Sequence, residues 1–302
     1  MMKKPKIIVI VGPTASGKSD LAVKLAKKFG GEVISADSRQ VYRGLDIGTG
    51  KITKKEMGGI RHHLLDVASA KRVFTAPDFQ KLGALAIADI LKRNQLPIIC
   101  GGTGFYISAL VDGLLLPEVP PNLSLRKKLA KKTPDRLFAL LKKLDPKRAR
   151  AIDRHNPRRL VRAIEIATAI GKVPRVGKKQ VYDPLFIGIS VSKEKLRERI
   201  HKRLLARVTQ GMIAEAKRLH QKGLSWKRME ELGLEYRYLA RYLQKELTRG
   251  EMLAELEKAI TNYAKRQMTW FKRDERIHWF RRAEISRATD LATKFLSAKK
   301  AP

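Results

Sequence analysis

The chain has 302 residues, 43% of them hydrophobic, which is enough apolar material for one large domain or two ordinary ones and excludes disorder as the dominant state. Aromatics are only 6%, so the core has to rest on Leu, Ile, Val and Ala. Lysine and arginine number 65 against 29 acidic residues, a net charge of +36; a surface of one sign attracts polyanions, and nucleic acid is the commonest large one. A heat-adapted or generally Lys-rich surface is the bland alternative, but heat adaptation raises both signs of charge, and here only the basic side is raised.

Residues 7 to 11 form a β-branched run that reads as a buried strand, and the segment from Gly12 to Ser19 turns from it into a helix running to about Phe29. The apolar run is too short for a signal peptide, and no stretch approaches the roughly 18 apolar residues that cross a bilayer. Residues 32 to 35 give a second strand leading to Asp37. After a glycine-punctuated stretch, residues 77 to 94 look helical and deliver the chain to a third strand at 96 to 100, closed by Gly101-Gly102. Strand and helix alternating at this spacing predict an α/β fold with a parallel sheet. Cys100 is the only cysteine, which rules out an internal disulfide and a multi-thiolate zinc site; its apolar neighbours make it a small core side chain in a reducing, cytoplasmic protein.

Pro117, Pro120 and Pro121 then interrupt the pattern, and basic helical segments follow between residues 123 and 171. Residues 185 to 191 look like a strand returning to the sheet. The organisation expected is therefore a discontinuous core of 1–115 and 181–290, a helical basic insertion at 116–180, and a tail at 291–302. Beyond Ser192 the sequence reads as helical to near the end, with amphipathic stretches at 194–222 and 249–274.

Gly12-Pro13-Thr14-Ala15-Ser16-Gly17-Lys18-Ser19 fits G-x-x-x-x-G-K-[ST], between a strand and a helix as the mechanics require. Glycines let the backbone fold around phosphate so that N–H groups and the positive end of the helix dipole face the anion. Lys18 neutralises phosphoryl charge and Ser19 offers a hydroxyl to Mg²⁺. The loop implies a polyphosphate and leaves its identity open: ATP and GTP are the usual occupants, and an isoprenoid diphosphate presents the same handle. Asp37 follows the second strand, where α/β sheets bind ligands, and a carboxylate there can take a proton from a nucleophile; an Asx turn in Ser35-Ala36-Asp37-Ser38 is the plainer reading.

Six blocks occur in order: GPTASGKS at 12–19, ISADSRQVYRGLDIGTGK at 34–51, HHLLD at 62–66, GGTGFYISAL at 101–110, RRLVRAIE at 158–165 and YAKRQMTWFKRD at 263–274. Together they resemble the tRNA dimethylallyltransferases over most of the chain from 7 to about 280. The resemblance implies a P-loop kinase-like parallel sheet flanked by helices, with a mainly helical insertion domain. It implies transfer of a dimethylallyl group from dimethylallyl diphosphate to N6 of the adenosine 3′ of the anticodon. Asp37 is then the general base, Thr103 contacts the target nucleotide, and Ser16, Lys18 and Ser19 hold the diphosphate with Mg²⁺ at Ser19. Contacts to tRNA map onto Asp37-Ser38-Arg39-Gln40, onto Arg158-Arg159-Leu160-Val161-Arg162, and near Arg126. Helical spacing puts Arg158 and Arg162 on one face, suited to a phosphate backbone or simply to solvent. Arg199 and Arg203, one turn apart, either close over the diphosphate or form surface pairs. Partners implied are tRNA and dimethylallyl diphosphate, with no membrane and a monomeric chain.

The chain departs from the family in having Thr261-Asn262 where consecutive arginines are usual and Ile52 where a proline is common. His62 and His63 lack metal-spaced companions and read as structural or tRNA-facing. A P-loop small-molecule or nucleoside kinase is the rival enzyme, and a non-catalytic RNA-binding protein switched by bound nucleotide is the rival of a different class.

Overall fold

The structure, a computed structural model, describes residues 4–298. In chain order it begins β1 (Lys6–Val11), α1 (Lys18–Phe29), β2 (Gly31–Ser35), the single-turn α2 (Lys54–Met57), β3 (His62–His63), α3 (Ala76–Lys92), β4 (Leu96–Gly101) and α4 (Gly104–Val111). Four helices follow: α5 (Leu123–Leu129), α6 (Pro134–Leu144), α7 (Pro146–Arg150) and α8 (Pro157–Ile170). The chain continues through β5 (Asp183–Ser190), α9 (Lys193–Thr209), α10 (Met212–Gln221), α11 (Trp226–Leu232), α12 (Leu234–Leu243), α13 (Arg249–Phe271), β6 (Ile277–Arg281) and α14 (Ile285–Ser297).

The described strands form one parallel sheet in the order β3-β2-β4-β1-β5-β6. Every residue from Ile7 to Val11 has 0% exposure, because β1 lies mid-sheet with both faces covered. That explains its continuous apolar run, where a half-solvated strand would alternate with polar residues. Ile7, Val9 and Val11 face a core shared with Phe79, Ile87, Ile107 and Phe271 from α3, α4 and α13. Ile8 and Ile10 face the other, built with Leu21 and Leu25 of α1 and Ala288 and Ala292 of α14. A third core packs α9, α10, α12 and α13 on one another.

Two compact units emerge: residues to Gly113 together with those from Gln180, and Leu114–Lys179. In the second, α5, α6, α7 and α8 pack around Leu129, Leu137, Leu141, Leu160 and Ile164. Buried Glu165 pins this unit, accepting from the Asn122 amide at 2.6 Å, from Arg126 Nε and Nη2 at 2.8 Å each, and from Arg162.

Four stretches differ from the sequence reading: His62–His63 adds a short edge strand to β2 within the glycine-punctuated stretch, Gly211 breaks the 194–222 stretch into α9 and α10, and the two others lie near the C-terminus. Residues 277 to 281 form an edge strand on β5, although the segment had read as part of a helical C-terminal half. Its five residues are too few to show a period against the long amphipathic signal of α13. Residues 291 to 297, expected as tail, complete α14, whose Ala288 and Ala292 sit at 0% exposure with Leu291, Phe295 and Leu296 packed beside them. Residues 299–302 of that expected tail lie outside the described residues.

Leu160 belongs to the core of its unit, so Leu160→Ala should lower that unit's unfolding free energy by about 2–5 kcal/mol. Urea titration followed by circular dichroism reads this; an unshifted midpoint would mean the side chain is not packed.

Candidate active site

The glycine loop begins where β1 ends. Gly12 has φ +152°, and a Cβ there would stand 2.9 Å from the Ile189 carbonyl oxygen, so the chain can leave the sheet here only without a side chain. Gly17, at φ +91°, is the N-cap of α1 and sets that helix's amides toward the loop's hollow. Ser16 is fully buried and its Oγ has no hydrogen-bond partner in the structure, an anomaly that an anion in the loop would remove. Lys18 Nζ donates to the Pro13 carbonyl at 3.2 Å. Burial pushes the Lys18 pKa down, with neighbouring Arg203 adding to the shift and the Asp37 carboxylate opposing it.

Parallel register brings the other groups to the same end of the sheet. Val11 pairs with Gly101 and Ser35 with Cys100, so β1, β2 and β4 stop together. Beyond them the Ala36 amide donates to Cys100 O at 2.8 Å and the Thr103 amide to Ala36 O at 3.1 Å. The Ser38 amide then donates to Thr103 Oγ1 at 3.0 Å, locking the Asp37 turn to the β4–α4 turn. Asp37 Oδ1 accepts from the Arg39 and Gln40 amides at 2.8 and 3.3 Å. The Asx turn weighed from the sequence therefore exists, and the same residue also lines a cavity of about 380 Å³ with Thr14 to Asp20 of the glycine loop.

Cations dominate that cavity: Lys18, Arg199, Lys202, Arg203 and Arg282 line it against Asp20, Asp37 and Glu56. Arg203 keeps an exposed face, yet desolvation by the atoms packed around it, then neighbouring Arg207, pulls its pKa down to about 10, so its guanidinium stays charged at neutral pH. Arg199 Nη1 reaches the Ser16 carbonyl at 3.5 Å, and Arg282 pairs with Asp20 at 3.4 Å. Tyr263 of α13 joins the lining; burial pushes its hydroxyl up to about 12, with Asp37's charge adding and a hydrogen bond from Thr103 opposing. Thr49 and Gly50 supply another wall. Their loop is held by buried Glu215, which accepts from the amides of Asp46, Ile47 and Gly48 at 3.1, 2.7 and 3.0 Å and from the Tyr236 hydroxyl at 2.7 Å.

Of the residues singled out from sequence, Thr14 to Ser19, Asp37, Gln40, Arg199 and Arg203 share this cavity. Gly12 and Pro13 are buried behind it, and Ser38, Arg39 and Thr103 flank it through the turn just described. The insertion residues lie in the second unit. There Arg158 and Arg159 are exposed, whereas Leu160 is at 0% exposure and Val161 packs against the same core. The side chain of Leu160 therefore cannot reach a ligand. Arg126 and Arg162 are engaged by Glu165, and Arg162 Nη2 also donates to Val119 O at 2.8 Å. His63 Nε2 lies 2.6 Å from Glu32 Oε2, a structural pairing, while His62 Nδ1 lies 2.9 Å from Ile60 O and the same residue also lines the cavity; no cluster of three or more metal-binding side chains occurs among the described residues. Lys202, Arg282, Tyr263 and Gln267 escaped the sequence reading, although the last two lie in the quoted 263–274 block and share a helical face. Cys100 is a core side chain as expected, yet it also touches the cavity.

Fold and cavity together define a P-loop-type α/β protein with an anion pocket beyond the carboxyl ends of its central strands. The family model described as IPP transferase matches residues 40–274. The tRNA dimethylallyltransferase 2 of Citrifermentans bemidjiense is 46% identical over 89% of this chain and 87% of that protein. That of Anoxybacillus flavithermus is 41% identical over 91% and 90%. The crystal structure of the full-length tRNA isopentenylpyrophosphate transferase from Bacillus halodurans superposes with TM-score 0.75 at 36% identity, covering 97% of each chain. A eukaryotic dimethylallyltransferase acting on tRNA gives TM-score 0.81 at 25% identity, over 99% of this chain and 82% of that one. The chain belongs to the IPP transferase family.

Burial pushes the Cys100 thiol up to about 11, so at pH 8 the thiolate is scarce. Iodoacetamide should alkylate Cys100 far more slowly than free cysteine at that pH, with the rate climbing only toward pH 11; a rate equal to free cysteine would mean the thiol is not buried.

Proposed function

We propose that this chain transfers a dimethylallyl group from dimethylallyl diphosphate to N6 of the adenosine 3′ of the anticodon in tRNA, releasing diphosphate. The observation that carries the proposal is the sharing of one cation-lined cavity by the glycine loop and the Asp37 carboxylate. One end suits a diphosphate and the other a proton acceptor, which is the pairing that this displacement needs.

An aromatic amine is a weak nucleophile, so help has to come from both sides. Lys18, Arg199, Arg203 and the loop amides stabilise negative charge on the departing diphosphate while the carbon–oxygen bond lengthens and positive charge builds on the allylic carbon. The N6–carbon bond forms, the electron pair of the broken bond leaves with diphosphate, and Asp37 takes the N6 proton. Asp37 Oδ1 is held by two backbone amides, which fixes the carboxylate and leaves Oδ2 for the proton. The Ser19 hydroxyl and Asp20 carboxylate on the lining are hard oxygen donors that fit Mg²⁺, an ion that keeps several waters and takes its remaining ligands from substrate phosphates. Bound there, Mg²⁺ would supply further charge neutralisation on the leaving group. Thr103, tied to the Ser38 amide, flanks the site as a contact for the adenine, which must leave its stack to reach Asp37.

On this reading the Leu114–Lys179 unit is the tRNA-binding insertion, with exposed Arg158 and Arg159 for the phosphate backbone and with Arg126 and Arg162 as its internal fasteners. Ser38, Arg39 and Gln40 contribute at the catalytic end. No described helix is long and apolar enough to cross a membrane. The proposed working form is a single chain in the cytoplasm, where tRNA resides and a lone thiol stays reduced.

Purified protein incubated with tRNA and labelled dimethylallyl diphosphate should move label into RNA; ATP consumption without RNA, or RNA binding without transfer, would replace the assignment. Asp37→Asn keeps an acceptor for the turn and removes the base, so turnover should fall by about 10² to 10⁴ with tRNA affinity retained. Wild-type turnover in that variant would take Asp37 out of the chemistry. Replacing Arg158 and Arg159 together by alanine should reduce the slope of log affinity against log salt by about 1 to 2; an unchanged slope would mean they touch no phosphate.

A further inference from the structure

Tyr263, Gln267 and Trp270 lie four and three residues apart on α13, so they present one stripe of that helix. The stripe meets the two turns that build the cavity. Gln267 is only 5% exposed, and its Oε1 accepts from the Thr14 amide of the glycine loop at 2.8 Å while its Nε2 donates to the Gly102 carbonyl at 3.0 Å. The two bonds fix the amide's orientation, since a flipped amide would set donor against donor and acceptor against acceptor. Two glycines admit the stripe: a Cβ on Gly102 would stand 2.1 Å from Gln267 Nε2, and one on Gly104 would stand 2.2 Å from the Trp270 ring. The carbonyl it grips is one residue from Thr103, which holds the Asp37 turn through the Ser38 amide.

We propose that Gln267 is a positioning residue for prenyl transfer: it bridges the diphosphate loop to the Gly102–Thr103 turn and so sets the separation between the allylic carbon and the adenine that Asp37 deprotonates. The inference rests on the transfer reaction assigned above. Reacting atoms must approach to about 3–3.5 Å, and a misplacement of about 1 Å costs on the order of 10² in rate. Without Gln267 the loop and the turn belong to different strands, β1 and β4, whose ladder ends at Val11 and Gly101. The side-chain bridge extends that ladder past the sheet, to where the substrates meet.

Gln267→Glu is nearly isosteric; it still accepts from the Thr14 amide, but sets a second acceptor against the Gly102 carbonyl and adds negative charge to an anion site. Gln267→Ala removes both bonds. Each variant, assayed well below its melting temperature, should lose kcat on the order of 10², raise KM for dimethylallyl diphosphate, and bind tRNA as wild type does. Gly102→Ala should produce a similar loss by pushing the amide aside, and the double variant Gly102→Ala/Gln267→Ala should be no slower than Gln267→Ala alone. Wild-type kcat and KM in Gln267→Glu, or losses that multiply in the double variant, would overturn the role. If Gln267→Ala does not fold, Gln267→Glu and Gly102→Ala decide the matter by the same split of kcat from tRNA affinity. Failure of wild-type protein to label tRNA would sink the assigned reaction itself, an outcome distinct from equal turnover by wild type and variants.

Discussion

Positive charge confined beyond the ends of three parallel strands is the constraint on which the rest of this molecule turns. Lys18, Arg199, Lys202, Arg203 and Arg282 share a cavity with three carboxylates, and desolvation already draws the Lys18 and Arg203 pKa values down. Lys202, Arg203 and Arg282 still reach solvent, which screens them, but like charges gathered around one cavity repel unless an anion offsets them. A bound polyphosphate would relieve the repulsion, meet the orphaned Ser16 hydroxyl and stabilise the native state by mass action. The fold tolerates the arrangement because its stability comes from elsewhere, in the two apolar faces of the sheet and the helical core beside it.

The acidic residues show the complementary half of this economy of charge. Glu32 takes Arg93 and His63, Glu165 takes Arg126 and Arg162, and Glu215 takes three backbone amides and a tyrosine hydroxyl. Hydrogen bonds from Arg93 hold the Glu32 carboxyl down at about 2, so it stays ionised through any physiological pH. The chain has 29 acids against 65 lysines and arginines. The basic exterior follows from how few carboxylates there are, and that exterior suits a nucleic-acid partner.

What the sequence disclosed tracks how local each signal is. The apolar run at 7–11 and the glycine loop are contiguous, and each property they need is written in consecutive residues. Asp37 was legible because the end of a strand is where a ligand-facing residue belongs. Its double duty as turn residue and cavity wall was not, since one side chain was weighed as one or the other. The block from Arg158 to Leu160 and on to Arg162 was read as a unit, yet five consecutive helical residues sweep more than one full turn. Leu160 and Ile164, four apart, form the buried stripe, so the block had to contain at least one core residue. β6 was missed for the opposite reason: its pairing with β5 is a tertiary fact with little local periodicity to announce it, whereas the end of α14 continues an apolar stripe of Ala288, Ala292 and Phe295 that was legible and went unread.

The glycines of Gly101-Gly102-Thr103-Gly104 gain a physical meaning only in three dimensions. A Cβ on Gly101 would strike the Ala36 backbone, one on Gly102 the Gln267 amide, and one on Gly104 the Trp270 indole. Each glycine therefore faces a different neighbour: the strand that carries Asp37, and two successive turns of α13. Between them Thr103 keeps its side chain and uses it on the Ser38 amide. The turn after β4 is thus a junction bonded to the Asp37 segment on one side and to α13 on the other, and α13 in turn holds the phosphate loop. A single glycine motif in the sequence marks a loop; here three glycines mark the surfaces of three other elements. Their spacing around one threonine is what lets a carboxylate and a phosphate loop from separate strands act on the two ends of one reaction.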